Sequence, residues 1–304
     1  MSPRAPDLTN EYDGPCAVCG DVVPAGTGVL RHGHGPSDGW QVFHAGHVPE
    51  EKPPDRQHVP GWHHRRLLAV DIVSTGYRTS VDRILSASVR GSDGYIGDWI
   101  MDIGSDLPSA VSGGGAALDA AVARARAEGA PAPEALDDLA RVLADHLAAH
   151  EVLVVWFSPY VLSTLHAELL RHALAPLTER LPQGVAPVCD PLVLDRHTDR
   201  YRSGRRSLRA VAEWYGVPHA HPGDAASDAE AALALAQVIA DSYPAVAKLS
   251  RPALHTEQIR WYADQTRSHP DAPDWPFTAA APEPWAPPQP PARQGAPEPP
   301  PHAS

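Results

Sequence analysis

The chain is short of cysteine, of basic charge and of long apolar runs, and each shortage excludes a class of protein. Three cysteines in 304 residues, Cys16, Cys19 and Cys189, make no disulfide framework, and a Cys-x2-Cys pair in such a chain points to metal or redox chemistry instead. Lys and Arg number 25 against 37 Asp and Glu, a formal charge of −12. That balance excludes attachment to nucleic acid by bulk charge and leaves room only for a local basic patch. No stretch approaches the roughly 18 consecutive apolar residues that cross a bilayer, and the opening MSPRAPDLTNEYDG lacks the apolar run of a signal peptide. The expectation is a cytoplasmic protein with no membrane partner.

What is present divides into four segments. Residues 1–62 are rich in Gly, Pro and His, with short strands at Gly28–Leu30 and Trp40–His44. Residues 65–245 carry the pattern of an α/β domain. LLAVDIV (67–73) reads as a buried strand, and RILSASVR (83–90) and YIGDWIMDI (95–103) follow as β-rich segments. PEALDDLARVLADHLAAH (133–150) places Leu136, Leu139, Leu143 and Leu147 on one helical face. VLVVWF (152–157) is another buried strand, a helix runs through Leu162, Leu165 and Leu169, and a short strand ends near Cys189. Ser207 is placed to cap a helix that Gly216 ends, and DAEAALALAQVIADSY (228–243) is a strong helix. Three strands feeding alternating helices and strands predict an α/β fold, a mixed sheet covered by helices. Residues 246–277 read as a helix with a short tail. Residues 278–304 are Pro-rich and are expected to be a disordered or PPII-like tail.

Across roughly residues 65–245 the text resembles the DnaQ-like 3′–5′ exonucleases of the DEDD superfamily, which implies an RNase H-like fold. The first motif, Asp-x-Glu-Thr-Thr-Gly in the family, corresponds to Asp71-Ile72-Val73-Ser74-Thr75-Gly76, and Asp82-Arg83-Ile84 follows as in the family's second strand. The second motif corresponds to Phe157-Ser158-Pro159-Tyr160-Val161-Leu162, and the stretch from Asp190 to Leu208 is nearly the family's own. The third motif, His-x4-Asp-Ala, corresponds to Gly223 through Asp228-Ala229, and residues 254–265 resemble a C-terminal helix of some relatives.

The family's chemistry holds two divalent ions about 3.5–4 Å apart on carboxylates, with a histidine as base for the attacking water. By resemblance, Asp71 and Asp228 are retained catalytic residues, while Val73, Val161 and Gly223 occupy the slots of the glutamate, the second aspartate and the histidine. The tyrosine-type variant of the third motif has Asp224 in its tyrosine slot. Valine supplies no metal oxygen and favours a dry site. A Mg²⁺ or Mn²⁺ pair is therefore not expected, and a single weakly bound cation at Asp71 and Asp228 is the most that remains. His219 and His221 lie nine and seven residues before Asp228 and could be swung in by their loop; Asp190, Asp98 and Asp102 are further carboxylate candidates.

Six arginines fall within residues 196–209, and Arg200, Arg202, Arg205 and Arg206 are the candidates to grip phosphates, with Tyr201 placed for stacking. Cys16, Cys19, His44 and His47 form two ligand pairs suited to a structural zinc ion, with His32 or His34 as alternative ligands. Three functional readings follow. The first is a catalytically impaired exonuclease-like domain that binds single-stranded DNA or RNA, or a protein partner. The second is an active exonuclease with a rearranged site, and the third an interaction protein whose zinc module does the recognising.

Overall fold

The computed structural model describes residues 8–32, 39–50, 52–104, 115–202 and 204–283. The N-terminal part is a small β module. Its strands are β1 (Leu8–Thr9), β2 (Gly14–Pro15), β3 (Val22–Val23), β4 (Gly28–His32) and β5 (Trp40–His44). The antiparallel sheet runs β1-β4-β5, and β2 pairs with β3 apart from it. A 3-10 turn at Ala45–His47 follows. Among the described residues of this module the buried apolar side chains are Cys16, Val23 and Phe43, beside a buried Asn10. Asn10 donates to the Pro24 carbonyl at 3.0 Å and accepts the Gly28 N–H at 2.8 Å. So small a core needs a staple.

The central domain begins with β6 (Leu67–Ser74), β7 (Ile84–Gly91) and β8 (Ile96–Asp102). Then come α1 (Gly115–Glu128), β9 (Ala130–Pro131), α2 (Ala132–Ala148), β10 (Val152–Val154) and α3 (Ser158–Arg171). The chain continues through α4 (Leu177–Arg180), β11 (Val188–Cys189), α5 (Pro191–Thr198), α6 (Leu208–Tyr215) and α7 (Ala225–Ser242), and closes with α8 (Pro244–Ala247) and α9 (Arg251–Thr266). The sheet order is β11-β10-β6-β7-β8-β9. β6, β10 and β11 are parallel, and β7 runs antiparallel to both β6 and β8. This is the mixed, helix-covered sheet that the element order predicts.

Strand alternation decides what faces what. Leu68, Val70 and Ile72 of β6 enter the core beneath α2 and α3, where Leu136, Leu139, Leu143 and Leu147 are fully buried. Leu67 and Ala69 point the other way, into a core with α6 and α7. Asp71 and Val73 are in phase with Leu67 and Ala69, so they fall on the α7 face. The alanines of α7, among them Ala229, Ala232 and Ala236, are fully buried and let the helix lie close on the sheet.

Among the helices of eight residues or more, α1 and α5 were not anticipated. α1 buries only Val122 and Ala125, too little for an apolar stripe to show. α5 is eight residues and opens on Pro191 behind the Asp190 cap. Residues 52–64 lie on the central domain rather than with the β module, since the Gln57 N–H donates to the Asp241 carbonyl at 2.8 Å and the Trp62 indole to Val246 at 3.1 Å. Residues 278–283, expected to belong to a disordered tail, are held to the central domain. Thr278 N–H donates to Ser163 Oγ at 2.9 Å and Glu283 N–H to the Ser80 carbonyl at 2.7 Å, and the rest of that tail lies outside the described residues. Among the described residues no helix is long and apolar enough to cross a membrane.

Candidate functional site

Asp71, near the end of β6, and Asp228, in the first turn of α7, lie close enough for their charges to interact. Asp224 caps α7, its carboxylate accepting the Ser227 N–H at 3.0 Å; the helix thus opens one turn earlier than the expected start at Asp228. Asp71 is partly buried, and desolvation, followed by the nearby negative charges of Asp228 and Asp224, pushes its carboxyl well above the usual range. The two carboxylates therefore repel across the site. Asp228 already has partners: His219 Nε2 lies 2.5 Å from Oδ1, and the Gly223 N–H points at both oxygens at 3.1 and 3.2 Å. Of the two loop histidines that could be swung in, the structure brings in His219. It does so as a clamp on Asp228, with its Nδ1 buried and unpartnered.

The other slots are closed in different ways. Val161 sits in the first turn of α3 with 1% exposure and belongs to the main core. Val73 packs against the small cluster under α1, at a register shift between Val73 and Ser74. Gly223 has φ 89, a left-handed conformation that strains any residue with a Cβ, and its N–H rather than a side chain serves Asp228. The further carboxylate candidates have structural partners. Asp190 is buried, capping α5 through Leu192 N–H and accepting the N–H groups of Phe157 and Ser158 at 3.1 and 2.8 Å. Burial outweighs those bonds and raises its carboxyl to about 6. Asp98 accepts from Ser88 at 2.7 Å and pairs with Arg90 at 2.9 Å, and Asp102 accepts the Gly104 N–H at 2.9 Å. Two Mg²⁺ ions need a cage of free carboxylate oxygens, and the residues here do not fit that group.

An aromatic shelf that sequence reasoning missed lines the same sheet end. Tyr160 Oη is 2.5 Å from Ser74 Oγ and donates to the Gly76 carbonyl at 3.1 Å. Burial raises its phenol to about 12. Phe157 stacks on Tyr160 at 6.2 Å and 14°, and Tyr77, 89% exposed, flanks it at 5.7 Å. Phe157 is itself exposed and left-handed at φ 53, a strained geometry that clusters at functional sites. Gly76 is required here, because a Cβ would come within 2.5 Å of the Asp82 carboxylate.

The arginine-rich segment divides in two. Arg202 Nη2 donates to both oxygens of the fully buried Asp195 at 2.9 Å and the guanidinium lies over the Trp214 ring, while Arg206 reaches Asp195 at 2.6 Å. These two neutralise a buried acid. Arg200 and Arg205 are exposed, Arg200 lying over Tyr201. The nearby Asp82-Arg83 pair is also structural: Arg83 holds the buried Glu168 at 2.9 Å, tying the start of β7 to α3.

Cys16, Cys19, His44 and His47 converge, with all ligand atoms within 4.8 Å of one another. A tetrahedral zinc with Zn–S near 2.3 Å and Zn–N of 2.0–2.1 Å places sulfur and nitrogen about 3.6 Å apart. Cys16 Sγ is 3.6 Å from His47 Nδ1, and Cys19 Sγ is 3.5 Å from His44 Nδ1. Desolvation opposes the Cys16 thiolate, but the backbone of Cys19, His44 and Val18 and the His47 ring hold the thiol down to about 5. The set fits an ion of the zinc class.

No protein-family profile matches the chain, and no curated protein does either. Solved structures do. The zinc-bound complex of E. coli exonuclease I with single-stranded DNA superposes with a TM-score of 0.50 at 15% identity, covering 60% of this chain and 42% of that one. A second exonuclease I structure, described as suggesting how processivity is achieved, gives 0.49 at 14%, over 67% and 44%. The complex of E. coli exonuclease I with a dT13 oligonucleotide gives 0.49 at 13%, over 60% and 42%. This chain spans less than half the length of those proteins. The first of these likenesses shows the fold alone: over 60% of its length this chain folds like exonuclease I.

Proposed function

We propose that this chain is a nucleic-acid-binding protein built on an exonuclease fold, with single-stranded DNA or RNA as its ligand and no two-metal cleavage. The observation that carries the reading is the state of the Asp71–Asp228 pair. One carboxyl is pushed toward its neutral form, the other is clamped by His219 and Gly223, and two of the missing ligand slots hold valines packed against apolar neighbours. Beside it, the Tyr77–Tyr160–Phe157 shelf lies beyond the carboxyl ends of β6 and β10, where ligands bind in open α/β sheets. Exposed rings accept stacked bases whatever the sequence. Arg200 and Arg205 are exposed cations free to meet phosphate, in keeping with modest, salt-sensitive binding by an acidic protein. The DNA-bound neighbour supports the choice of ligand.

The N-terminal module holds one structural zinc ion on Cys16, Cys19, His44 and His47. Chelation should unfold that module and leave the central domain's far-UV circular dichroism intact. Binding is tested by fluorescence anisotropy with short labelled oligonucleotides over a salt series. Tyr77→Ala and Phe157→Ala should each weaken binding by about 5- to 100-fold, the worth of one stacked base. Wild-type binding that ignores salt, or that both variants retain in full, contradicts the reading.

A further inference from the structure

A second set of metal-ligating side chains converges at the other end of α7, about 20 Å from Asp228 by helical rise. We propose that His63, His64 and Asp241, joined by His58, form a second site for a zinc-class transition-metal ion, which clamps the linker to the central domain. His63 Nε2 lies 3.1 Å and His64 Nε2 3.6 Å from the same oxygen, Asp241 Oδ1, and His58 Nδ1 lies 3.4 Å from Oδ2. The ligand atoms of His63, His64 and Asp241 are all within 4.8 Å of one another.

His63 is at ordinary hydrogen-bond distance from Asp241, whereas His58 and His64 stand farther off. A charge-assisted imidazole–carboxylate bond is about 2.7–2.9 Å long. Ligand atoms at 2.0–2.1 Å from a shared tetrahedral ion are about 3.3–3.4 Å apart. The His58 and His64 distances, 3.4 and 3.6 Å, lie near the second value and well beyond the first. Two imidazoles also present the same nitrogen to a single carboxylate oxygen, with rings 4.0 Å apart. That arrangement suits a shared cation better than two separate hydrogen bonds.

The scaffold is prebuilt by contacts that do not involve the ligand atoms. The Gln57 N–H donates to the Asp241 carbonyl at 2.8 Å, and Gln237 Nε2 donates to the His63 carbonyl at 3.4 Å. The chain passes so close to α8 that a Cβ on Gly61 would sit 2.1 Å from the Ala247 carbonyl. His58 holds a left-handed φ of 47, a conformation in which histidine is enriched among non-glycine residues. His63 is fully buried, whereas the His64 and His58 side chains are 48% and 74% exposed, so an ion has an entry path. Imidazoles with one carboxylate select zinc, nickel, copper or cobalt over magnesium and calcium, which take oxygen ligands. Binding would fix residues 58–64, the segment that leads from the β module into β6.

The test is metal stoichiometry of the full chain, stripped and reloaded with Zn²⁺ or Co²⁺. Wild type should hold two equivalents. The Cys16→Ser/Cys19→Ser protein should hold one, and its cobalt form should show visible d–d bands without the thiolate charge-transfer band. Adding His64→Ala or Asp241→Asn to that background should weaken the remaining site by at least about tenfold, no less than loss of an outer-shell partner costs. His64 is half-exposed, so its variant keeps the fold, checked by circular dichroism. A Cys16→Ser/Cys19→Ser protein that binds no ion, or one whose binding survives both further substitutions, overturns the proposal. Failure of the Cys16 site would show separately, as absence of the thiolate band with the second site intact.

Discussion

Replacing Val161 with aspartate puts a carboxylate where the resemblance to the DnaQ-like exonucleases implies one, and the surroundings set its cost. Val161 is 1% exposed in the main core. Losing its burial removes about 1.5–3 kcal/mol. An unpaired carboxyl at that depth has its pKa raised by about 3–5 units, so holding it there at pH 7 costs about 4 kcal/mol before it neutralises. The first turn of α3 returns about 0.3–1 kcal/mol through the helix dipole. The net loss of about 5 kcal/mol matches the lower end of whole-domain stabilities. Urea denaturation followed by tryptophan fluorescence should therefore show Val161→Asp largely unfolded or shifted to a much lower midpoint. Val161→Ala should lose only the packing contribution. Mg²⁺ should not restore the midpoint, because Val73 supplies no oxygen, burial pushes Asp71 toward its neutral form and Asp228 is held by His219 and Gly223. A Val161→Asp protein with a wild-type midpoint, or one that gains both stability and cleavage with Mg²⁺, would refute the claim that this slot is closed by packing.

Arg202→Ala should destabilise the domain by about 3–5 kcal/mol, since it leaves Asp195 buried with its charge poorly balanced; equal denaturation midpoints for variant and wild type would count against the ion lock. Arg200→Ala and Arg205→Ala should leave stability unchanged and each reduce the salt slope of oligonucleotide binding by about one. Burial lowers the imidazole pKa of His63, His146, His166, His197 and His255. The unfolded chain then takes up protons first, so their contribution is complete above about pH 6.5 and lost as pH falls below it. The raised carboxyls of Asp71 and Asp190 act in the opposite sense. With five groups against two, the melting temperature should fall between pH 7.5 and 6.0, and a constant or rising value refutes the balance.

Much of the fold was legible because its signals are local. The leucine stripe of α2, the Ser207 cap with its Ala210 N–H bond and the left-handed Gly216 at φ 63 all follow from residues close in sequence. The Cys16–His47 set was legible because metal ligands come in short, recognisable pairs. The division of the arginine segment was not legible. Six arginines look alike in sequence, and nothing local shows that Asp195 is buried within reach of Arg202 and Arg206. The aromatic shelf joins Tyr77 to Tyr160, and the second metal set joins His63 to Asp241. Both depend on strand and helix packing that brings distant segments together, which no spacing rule encodes. His219 illustrates the same limit: its loop allowed either histidine to approach, and only the folded chain selects the one that reaches Asp228.

The central claim is that this exonuclease fold binds nucleic acid without cutting it. The most direct measurement incubates the purified full chain with 5′-labelled single-stranded DNA and RNA in Mg²⁺ or Mn²⁺, beside Asp71→Ala and Asp228→Ala. The account predicts full-length oligonucleotide in every lane, together with salt-dependent retention of the label by the wild-type protein. Shortening from the 3′ end by wild type that both substitutions abolish would contradict it.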